Sequence, residues 1–439
     1  MASQHIAVSL SGGGHRASLF GLGALTYLVD AGKGPEISTI SSISGGSLTN
    51  GWVGLNADLT TVGADEFDEL TRTLATRIAR KGTLWAYWMT YALVAAMLLV
   101  VAGAIVATVI WGSAVAWLVW LVAIVLLGVL TQRRSWVARK SFEHGLFHGK
   151  PLSDLHTSLH HVICATDLQT AEHVYFSSKY VYSYRTGMGV ADGLHVADAA
   201  QASAALPGAF TPVSIPLAPH RFPKSPSFTS FLLTDGGVYD NMGTEWIFRV
   251  VRGFDDDAGA TEVPTADEAI VVNSSAAKDV VNRGKARIPL LGEVMTLLAV
   301  KDVMYDQTTA VRRRWLNLRY RIADRAPDAL PNDLLRGATI QIDRSPYELA
   351  DSYAKYGDEL AQRAQAAIAR LDAAGGRDFW QREAGENENV GTTLSKIPVE
   401  RAAGLLRHAY VLTMVNAHVL LGYPLLDIPS VERARRWVT

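Results

Sequence analysis

A long segment without any charged residue constrains the fold of this chain most strongly. From residue 82 to residue 132 there is no Asp, Glu, Lys, Arg or His, and Gly112 divides the segment into apolar arms at 84–110 and 114–130. A single helix of that length would measure roughly 75 Å at ~1.5 Å per residue, whereas each arm alone can cross a bilayer core of ~30 Å. The segment therefore predicts a two-pass transmembrane hairpin. The alternative is a helical hairpin buried in a soluble core, although buried helices of this length usually keep a polar face.

Basic residues flank the uncharged segment on both sides. Lys81 precedes it with two nearby arginines, Arg133 and Arg134 follow it, and its central turn carries no charge. Because positively charged flanks stay in the cytoplasm, we expect both ends of the hairpin, and the domain attached to them, on the cytoplasmic side of the inner or plasma membrane. Small residues in the arms would also let the hairpin pack against a second copy, giving a homo-oligomer.

The remainder of the chain is predicted to form one globular domain that the hairpin interrupts. We expect residues 1–82 to form its first part, 83–132 the hairpin, and 133–439 the rest with C-terminal helices. Long helical patterns are predicted at 290–316, 347–374 and 399–422, with a polar, disorder-prone stretch at 375–389.

The globular part begins with alternating strands and helices. An apolar strand at 6–10 leads through Gly12, Gly13 and Gly14 into a helical pattern, and a second strand at 36–42 leads into another. This order predicts an α/β fold whose functional residues collect at the carboxyl ends of its strands. The chain has 41 basic and 42 acidic residues, so its charge gives no reason to expect nucleic acid as a partner.

Ser44 stands where the second strand turns into its helix, and Gly45 and Gly46 follow it directly. Glycine is needed where neighbouring backbone crowds so sharp a turn, and the layout resembles the nucleophile elbow G-x-S-x-G, with Ser42 in place of the first glycine. An ordinary Ser/Gly-rich loop is an equally good interpretation of this motif by itself. A nucleophilic serine would also need a base for its proton and N–H donors for an oxyanion.

The glycine run at 12–14 could supply those donors. Consecutive glycines between a strand and a helix allow backbone N–H groups to point into one cavity, assisted by the positive end of the helix. Gly45 N–H, one residue after the nucleophile, would be a further donor. The run also matches a loose dinucleotide-binding fingerprint, but the second strand ends in serines where the acidic ribose ligand would stand.

The base for Ser44 is harder to identify from the sequence. No histidine lies in a context that marks it as a catalytic base, including His15, His161, His173 and His195. Asp235 instead follows a strand at 231–234 and precedes two glycines. Its carboxylate would therefore lie at the end of a strand, where the following residues have no side chains to shield it. An ordinary Asp-Gly-Gly turn is the alternative. Asp167 is interpreted as the cap of a turn.

In this order, the three motifs at 11–16, 44–46 and 235–237 resemble those of the patatin-like phospholipase family. Further stretches that are similar to family segments lie at 166–168, 202–212, 235–243 and, for bacterial members, 392–422. The resemblance covers residues 6 to about 429 except the hairpin, which looks like an insertion. It implies a three-layer α/β/α fold and a serine lipid acyl hydrolase of the phospholipase or lysophospholipase type, with membrane lipids as substrates.

The resemblance also assigns roles to individual residues. It implies that Ser44 is the nucleophile and Asp235 its general base in a Ser–Asp dyad, and that the loop at 12–14 is the oxyanion hole. Arg16 matches the basic residue of that loop and would either steady it or face anionic lipid. The resemblance implies no cofactor and no metal.

Two positions depart from the family pattern. Ser42 replaces the first elbow glycine and Ala17 replaces the glycine that usually follows the arginine; both are small, so we expect the geometry to survive. A carboxylate is a weak base for a serine hydroxyl, so Asp235 would need partial burial and proton transfer concerted with attack. An acyltransferase that uses a lipid acceptor and a membrane scaffold without turnover are the two alternative functions.

Overall fold

One ten-stranded sheet organises the part of the chain that the computed structural model describes, which is residues 5–224, 226–252, 264, 266–275, 291–325, 335–355 and 359–439. The strands are β1 (Ile6–Leu10), β2 (Ile37–Ser42), β3 (His160–Asp167), β4 (Glu172–Phe176), β5 (Tyr180–Ser183), β6 (Gly187–Val190), β7 (Val213–Pro216), β8 (Ser230–Asp235), β9 (Glu268–Asn273) and β10 (Arg336–Gln341). The helices are α1 (Gly14–Asp30), α2 (Gly45–Asn56), α3 (Ala64–Arg80), α4 (Trp88–Trp111), α5 (Ser113–Thr131), α6 (Arg134–Phe142), α7 (Val196–Ser203), α8 (Gly237–Asp240), α9 (Thr244–Arg252), α10 (Leu291–Arg325), α11 (Pro346–Tyr353), α12 (Glu359–Ala373), α13 (Gly376–Glu388), α14 (Val399–Leu421) and α15 (Val431–Arg436).

The centre of the sheet is parallel and one side of it is antiparallel. Strands run in the order β10-β9-β1-β2-β3-β4-β5-β6, and the first five are mutually parallel. The central strands β1 and β9 are buried along their whole length, as is usual for parallel strands covered on both faces. Strand β8 pairs antiparallel with both β3 and β7.

Helices cover both faces of the sheet. Successive side chains of a strand point to opposite faces, and on β1 Val8 belongs to one core with α1, α2, α3 and α14. Ala7 belongs to a second core that includes Ile247 of α9 and Leu316 of α10. The predicted α/β class and its three-layer α/β/α arrangement are thus confirmed.

The uncharged segment forms two apolar helices, α4 and α5, which pack against each other and meet at Gly112. Gly112 has φ +77°, a conformation that favours glycine and ends the first helix where the sequence predicts the break. Most side chains of both helices are exposed, Leu99 by 72% and Val109 by 79%. By length and composition each helix could cross a membrane.

The C-terminal region differs from its prediction in two places. The predicted helix at 347–374 is divided into α11 and α12, and the predicted helix start at 290 lies outside the described residues. The stretch at 375–389 is helix α13 rather than disordered, because Trp380 is fully buried in the main core and its ring lies under the Arg407 guanidinium.

Candidate active site

Two strands that point toward each other bring the Ser44 and Asp235 segments together. Residue Ser42 at the end of β2 pairs with Ile163 of β3, and Asp235 at the end of β8 pairs with Ala165, two residues further along β3. Strand β4 occupies the other edge of β3, so β2 and β8 share one edge and their carboxyl ends meet. At ~3.3 Å per residue the two ends are offset by roughly 7 Å along β3.

Ser44 occupies a sharp turn between β2 and α2. Its φ of +49° and ψ of −115° are rare for a residue with a side chain, and such strain persists only where surrounding contacts hold it. Ser44 N–H donates to Ser203 Oγ at 2.9 Å, and Ile43 N–H donates to Leu10 O at 3.0 Å. These bonds fasten the turn to α7 on one side and to β1 on the other.

The two glycines after Ser44 are required by close backbone contacts. A Cβ on Gly45 would overlap the carbonyl oxygen of Gly14, and one on Gly46 would lie 2.5 Å from Leu10 O. The elbow therefore rests directly on the glycine loop and on the end of β1. Ser42 fits in place of the usual glycine because its hydroxyl is bonded within the core, donating to Val162 O at 3.1 Å.

Asp235 ends β8 and is 2% exposed. Its Oδ1 accepts the N–H of Gly237 at 2.8 Å, and its own N–H donates to Ala205 O at 3.1 Å. The next residue, Gly236, donates its N–H to Ser203 O at 3.1 Å. Ser203 thus contacts both segments, through its hydroxyl to Ser44 and through its carbonyl to Gly236.

The glycine loop follows β1 and leads into the first turn of α1. Gly12 N–H donates to Asn241 O at 2.9 Å. The N–H groups of Gly13, Gly14 and Gly45 have no acceptor within the described part of the chain. Because they belong to the first turns of α1 and α2 or lie just before them, they form a group of donors suited to an anion.

Arg16 and His15 connect this loop to a segment near the C-terminus, residues 390–395. Arg16 is 3% exposed and its Nη1 donates to Val390 O at 2.7 Å, while burial lowers its pKa to about 10. His15 N–H donates to Thr393 O at 2.8 Å. Its Nδ1 donates to Ser395 O at 2.7 Å, and its burial lowers the pKa of the ring to about 4. Arg16 therefore holds a loop in place in this structure, and its guanidinium faces protein carbonyls.

A cavity of about 530 Å³ is lined by several of these groups. Its polar lining includes Ser44, Asp235 and Arg16 together with the glycine loop. Its apolar lining includes Leu206 and Phe210, which precede and follow a tight turn, and Trp85 from the start of the hairpin. A cavity with an apolar wall and a few convergent polar groups is typical of a site for a small apolar ligand.

Three of the histidines named in the sequence analysis, and Asp167, lie outside the cavity lining. His161 bonds Asn50 Oδ1 at 2.8 Å, and His173 donates from Nε2 to Gly236 O at 3.0 Å behind the Asp235 turn. His195 lies at the start of α7. Asp167 accepts from Thr170 and from Leu232 N–H, as expected of a turn cap. Among the described residues no group of His, Cys, Asp and Glu has the arrangement of a metal site.

Sequence reasoning missed three parts of this site. Ser203 and Asn241 fall inside segments similar to the family, yet nothing local distinguishes them from neighbouring polar residues. The segment at 390–395 bonds His15 and Arg16 through its backbone carbonyls, which any sequence would supply. Arg16 is the one sequence feature that indicates a contact of this kind, because a buried cation requires oxygen acceptors.

The comparison with protein families agrees with this architecture. The family model of patatin-like phospholipases matches residues 8–245, more than half of the chain, so the protein belongs to the patatin-like phospholipase family. It is a lipid acyl hydrolase. VipD from Legionella pneumophila is similar in structure at 13% identity, covering 99% of this chain and 90% of VipD, with a TM-score of 0.25 that is too low to support an argument. No curated protein matches the chain.

Proposed function

We propose that this hydrolase is anchored in a membrane and cleaves lipid acyl esters with a Ser44–Asp235 dyad. The observation that carries the proposal is that the strained serine, the buried carboxylate and the glycine loop line one cavity. The proposed division is a catalytic domain made of residues 1–82 and 133–439, with the hairpin at 83–132 inserted.

In the proposed reaction Ser44 Oγ attacks the ester carbonyl while its proton passes to the Asp235 carboxylate. The negative charge that develops on the carbonyl oxygen is stabilised by the N–H groups of Gly13, Gly14 and Gly45. Gly12 would contribute only after giving up its bond to Asn241 O. The protonated Asp235 then gives its proton to the leaving alkoxide, and a water molecule, activated by the same carboxylate, releases the acyl group from Ser44.

Three features support a carboxylate as the base. Asp235 is almost fully buried, and the bond from Gly237 N–H fixes one of its oxygens. His15, one residue after the glycine loop, uses both ring nitrogens, with Nδ1 on Ser395 O and Nε2 on Thr83 Oγ1 at 3.0 Å. His173 lies behind the turn and bonds the Gly236 carbonyl. Both ring nitrogens of His15 and Nε2 of His173 are therefore committed to other bonds.

Substitution of the two reacting groups tests the dyad. We expect Ser44→Ala to abolish release of fatty acid from phospholipid in mixed micelles. We expect Asp235→Asn to reduce kcat by about 10²–10⁴, the usual contribution of a general base. Asn can still accept the Gly237 N–H bond, so the Asp235→Asn protein should keep the Tm of the wild type.

Asp167→Asn is a matched control, since Asp167 is a buried carboxylate at the end of β3 that bonds Thr170 and Leu232 and does not line the cavity. It should retain turnover and labelling of Ser44 by a fluorophosphonate. Full activity of either dyad variant would refute the mechanism. Absence of both turnover and labelling in the folded wild type would favour the scaffold alternative.

The hairpin supports anchoring beside the cavity. Helices α4 and α5 span about 36 Å and 28 Å at ~1.5 Å per residue, which suits a bilayer core of ~30 Å. Beyond the hairpin, Arg134 Nη1 donates to Gly208 O at 3.1 Å and Ser135 Oγ donates to Thr211 O at 2.5 Å. These bonds hold the 208–211 turn, which carries Phe210 of the cavity wall, so a membrane-spanning hairpin would keep the cavity next to the lipid surface.

Cysteine labelling tests the topology with little background, because Cys164 is the single cysteine and is fully buried. In intact cells a membrane-impermeant maleimide should label Ser113→Cys at the hairpin turn. Ser352→Cys, on the surface of the globular domain, should react only after the cells are permeabilised. The reverse pattern would refute the proposed orientation, and complete extraction of the full chain by alkaline carbonate would refute insertion.

A further inference from the structure

A second cavity lies on helix α3, just before the hairpin. It measures about 360 Å³ and is lined by Arg72, Thr73, Thr76, Arg77, Arg80 and Lys81. These residues recur every four positions in two adjacent rows, so they lie along one face of the last turns of the helix. We call this cavity the α3 pocket.

Most of the positive charge in the α3 pocket has no carboxylate partner. Arg72 forms an ion pair with Glu69 at 2.5 Å. Within the described part of the chain, Arg77, Arg80 and Lys81 form none. Arg139 and Lys140, which follow the hairpin, are by contrast paired with Glu143. The α3 pocket therefore presents three uncompensated cations to whatever enters it.

Two polar atoms beside these cations are buried without a partner. Thr76 Oγ1 and Arg77 Nε are shielded from solvent, and among the described residues neither has a hydrogen-bond partner. Burial also lowers the pKa of Arg77, as expected for a cation taken from water without a counter-charge. The Arg77 guanidinium is held close to Gly145, where a Cβ would lie 3.3 Å from Nη2. Buried polar groups are nearly always satisfied, so an acceptor bound beside them would stabilise both atoms.

The helix dipole explains only part of this arrangement. Basic residues in the last turn of a helix interact favourably with its negative end, which accounts for Arg80 and Lys81 at the exposed rim. It gives no reason to bury Arg77 Nε or the Thr76 hydroxyl. An anion with several oxygens would accept from both groups once the two side chains turn toward the pocket, and it would neutralise the positive charge of Arg80 and Lys81.

The position of the α3 pocket indicates where such an anion would come from. Gly82 N–H bonds Arg77 O at 3.2 Å, and Leu84 already lines the hairpin side of the active-site cavity. On the other side of the hairpin, Ser141 Oγ donates to Thr83 O at 2.8 Å, so both flanks of the hairpin converge here. Basic pockets beside membrane spans bind the phosphate groups of anionic lipids.

We propose that the α3 pocket binds the phosphate of an anionic phospholipid headgroup, as a site separate from the Ser44 cavity. The lipid is a bound ligand of this site and is not cleaved there. Arg77 and Thr76 contact the phosphate oxygens, while Arg80 and Lys81 neutralise its charge from the rim. The proposal rests on membrane insertion of the hairpin, but it does not depend on the Ser–Asp dyad.

Thermal unfolding of the full chain in a neutral detergent tests the α3 pocket. All samples carry Ser44→Ala so that no probe is cleaved, and the probes are dihexanoyl-phosphatidylglycerol, dihexanoyl-phosphatidylcholine and inorganic phosphate. We expect the phosphatidylglycerol to raise the Tm in a saturable manner and the phosphatidylcholine to leave it unchanged. The double variant Arg77→Gln/Arg80→Gln should weaken the apparent affinity by about 100-fold, since loss of each charged hydrogen-bond partner removes about tenfold.

Arg436→Gln is the matched control, because Arg436 is an exposed basic residue on α15 outside the pocket. It should bind the phosphatidylglycerol as the parent does. If the double variant fails to fold, Lys81→Gln, at the exposed rim, should weaken binding by about tenfold. Equal stabilisation by both lipids, or unchanged affinity in the variants, would overturn the proposal. If inorganic phosphate raised the Tm as much as the phosphatidylglycerol does, the ligand of the α3 pocket would be a free anion and not a lipid. That result would also overturn the proposal.

Discussion

Replacement of Ser203 by alanine probes the support of the strained turn at Ser44. Ser203 Oγ accepts the Ser44 N–H at 2.9 Å and donates to Cys164 O at 2.6 Å. No other acceptor for the Ser44 N–H is present among the described residues. In Ser203→Ala this donor and the Cys164 carbonyl would each lose a partner, while the strand pairing and the cavity lining would remain.

The expected loss follows from those two bonds. A buried donor without a partner costs about 1–3 kcal/mol and an ordinary hydrogen bond contributes about 1 kcal/mol. We therefore expect the free energy of unfolding to fall by roughly 2–4 kcal/mol. The strain at Ser44 is itself of order 1–3 kcal/mol, and once the bond is lost the turn can relax and move Oγ. A misplacement that raises the barrier by about 1.4–2.8 kcal/mol would lower kcat/KM about 10- to 100-fold.

The assay is kcat/KM on a short-chain fluorogenic ester, together with the rate of fluorophosphonate labelling and the Tm. Ser47→Ala is the matched control. Ser47 Oγ bonds Ser203 Oγ at 2.9 Å and Ser42 Oγ at 3.2 Å in the same cluster, but it does not contact the Ser44 N–H. This variant should lose about 1 kcal/mol of stability and keep kcat/KM close to that of the wild type. Equal losses of kcat/KM in the two variants, or an unchanged value in Ser203→Ala, would refute the reasoning.

Two further predictions concern backbone crowding and pH. In Gly45→Ala the new Cβ would overlap the Gly14 carbonyl oxygen, so we expect overpacking to lower the free energy of unfolding by about 1–3 kcal/mol. Displacement of the oxyanion donors should lower kcat about 10²–10³-fold. A wild-type kcat in this variant would exclude these N–H groups from catalysis. Burial lowers the pKa of His15 to about 4, of His161 to about 3 and of His408 to about 4. Because the unfolded chain protonates these rings near pH 6.5 and the folded chain does not, stability should fall by about 1.4 kcal/mol per pH unit for each ring as the pH drops from about 6.5 to 4. Tm measured against pH should show a shallower fall in His408→Gln than in the wild type, and an identical slope would contradict the assignment.

The parts of the fold that the sequence predicts are those with a local cause. The two hairpin helices follow from an uninterrupted apolar composition, and the break at Gly112 follows from the backbone conformation that glycine allows. The parallel strands are recognisable because their burial on both faces leaves continuous apolar runs. Helix α13 was missed for the opposite reason: its sequence is polar, and Trp380 stabilises it through contacts with a distant helix.

The same distinction applies to the candidate site. The Ser44, Asp235 and glycine-loop motifs have local glycine patterns that backbone crowding requires. Ser203 has no such pattern, since its bond to Ser44 connects residues 159 positions apart. The direction of β8 was not predictable either, because whether a strand is parallel or antiparallel depends on its partner. Its antiparallel pairing with β3 nevertheless brings Asp235 to the end of β2.

The shared edge of β3 sets the alignment between the two halves of the site. Alternate residues of a strand face opposite sides of the sheet, so a slip of β8 by one residue against β3 would turn Asp235 away from Ser44. Loops that join these strands can lengthen without changing that alignment. A chain built in this way can carry the two hairpin helices between β2 and β3, whereas a single inserted residue within β3 would separate the two groups.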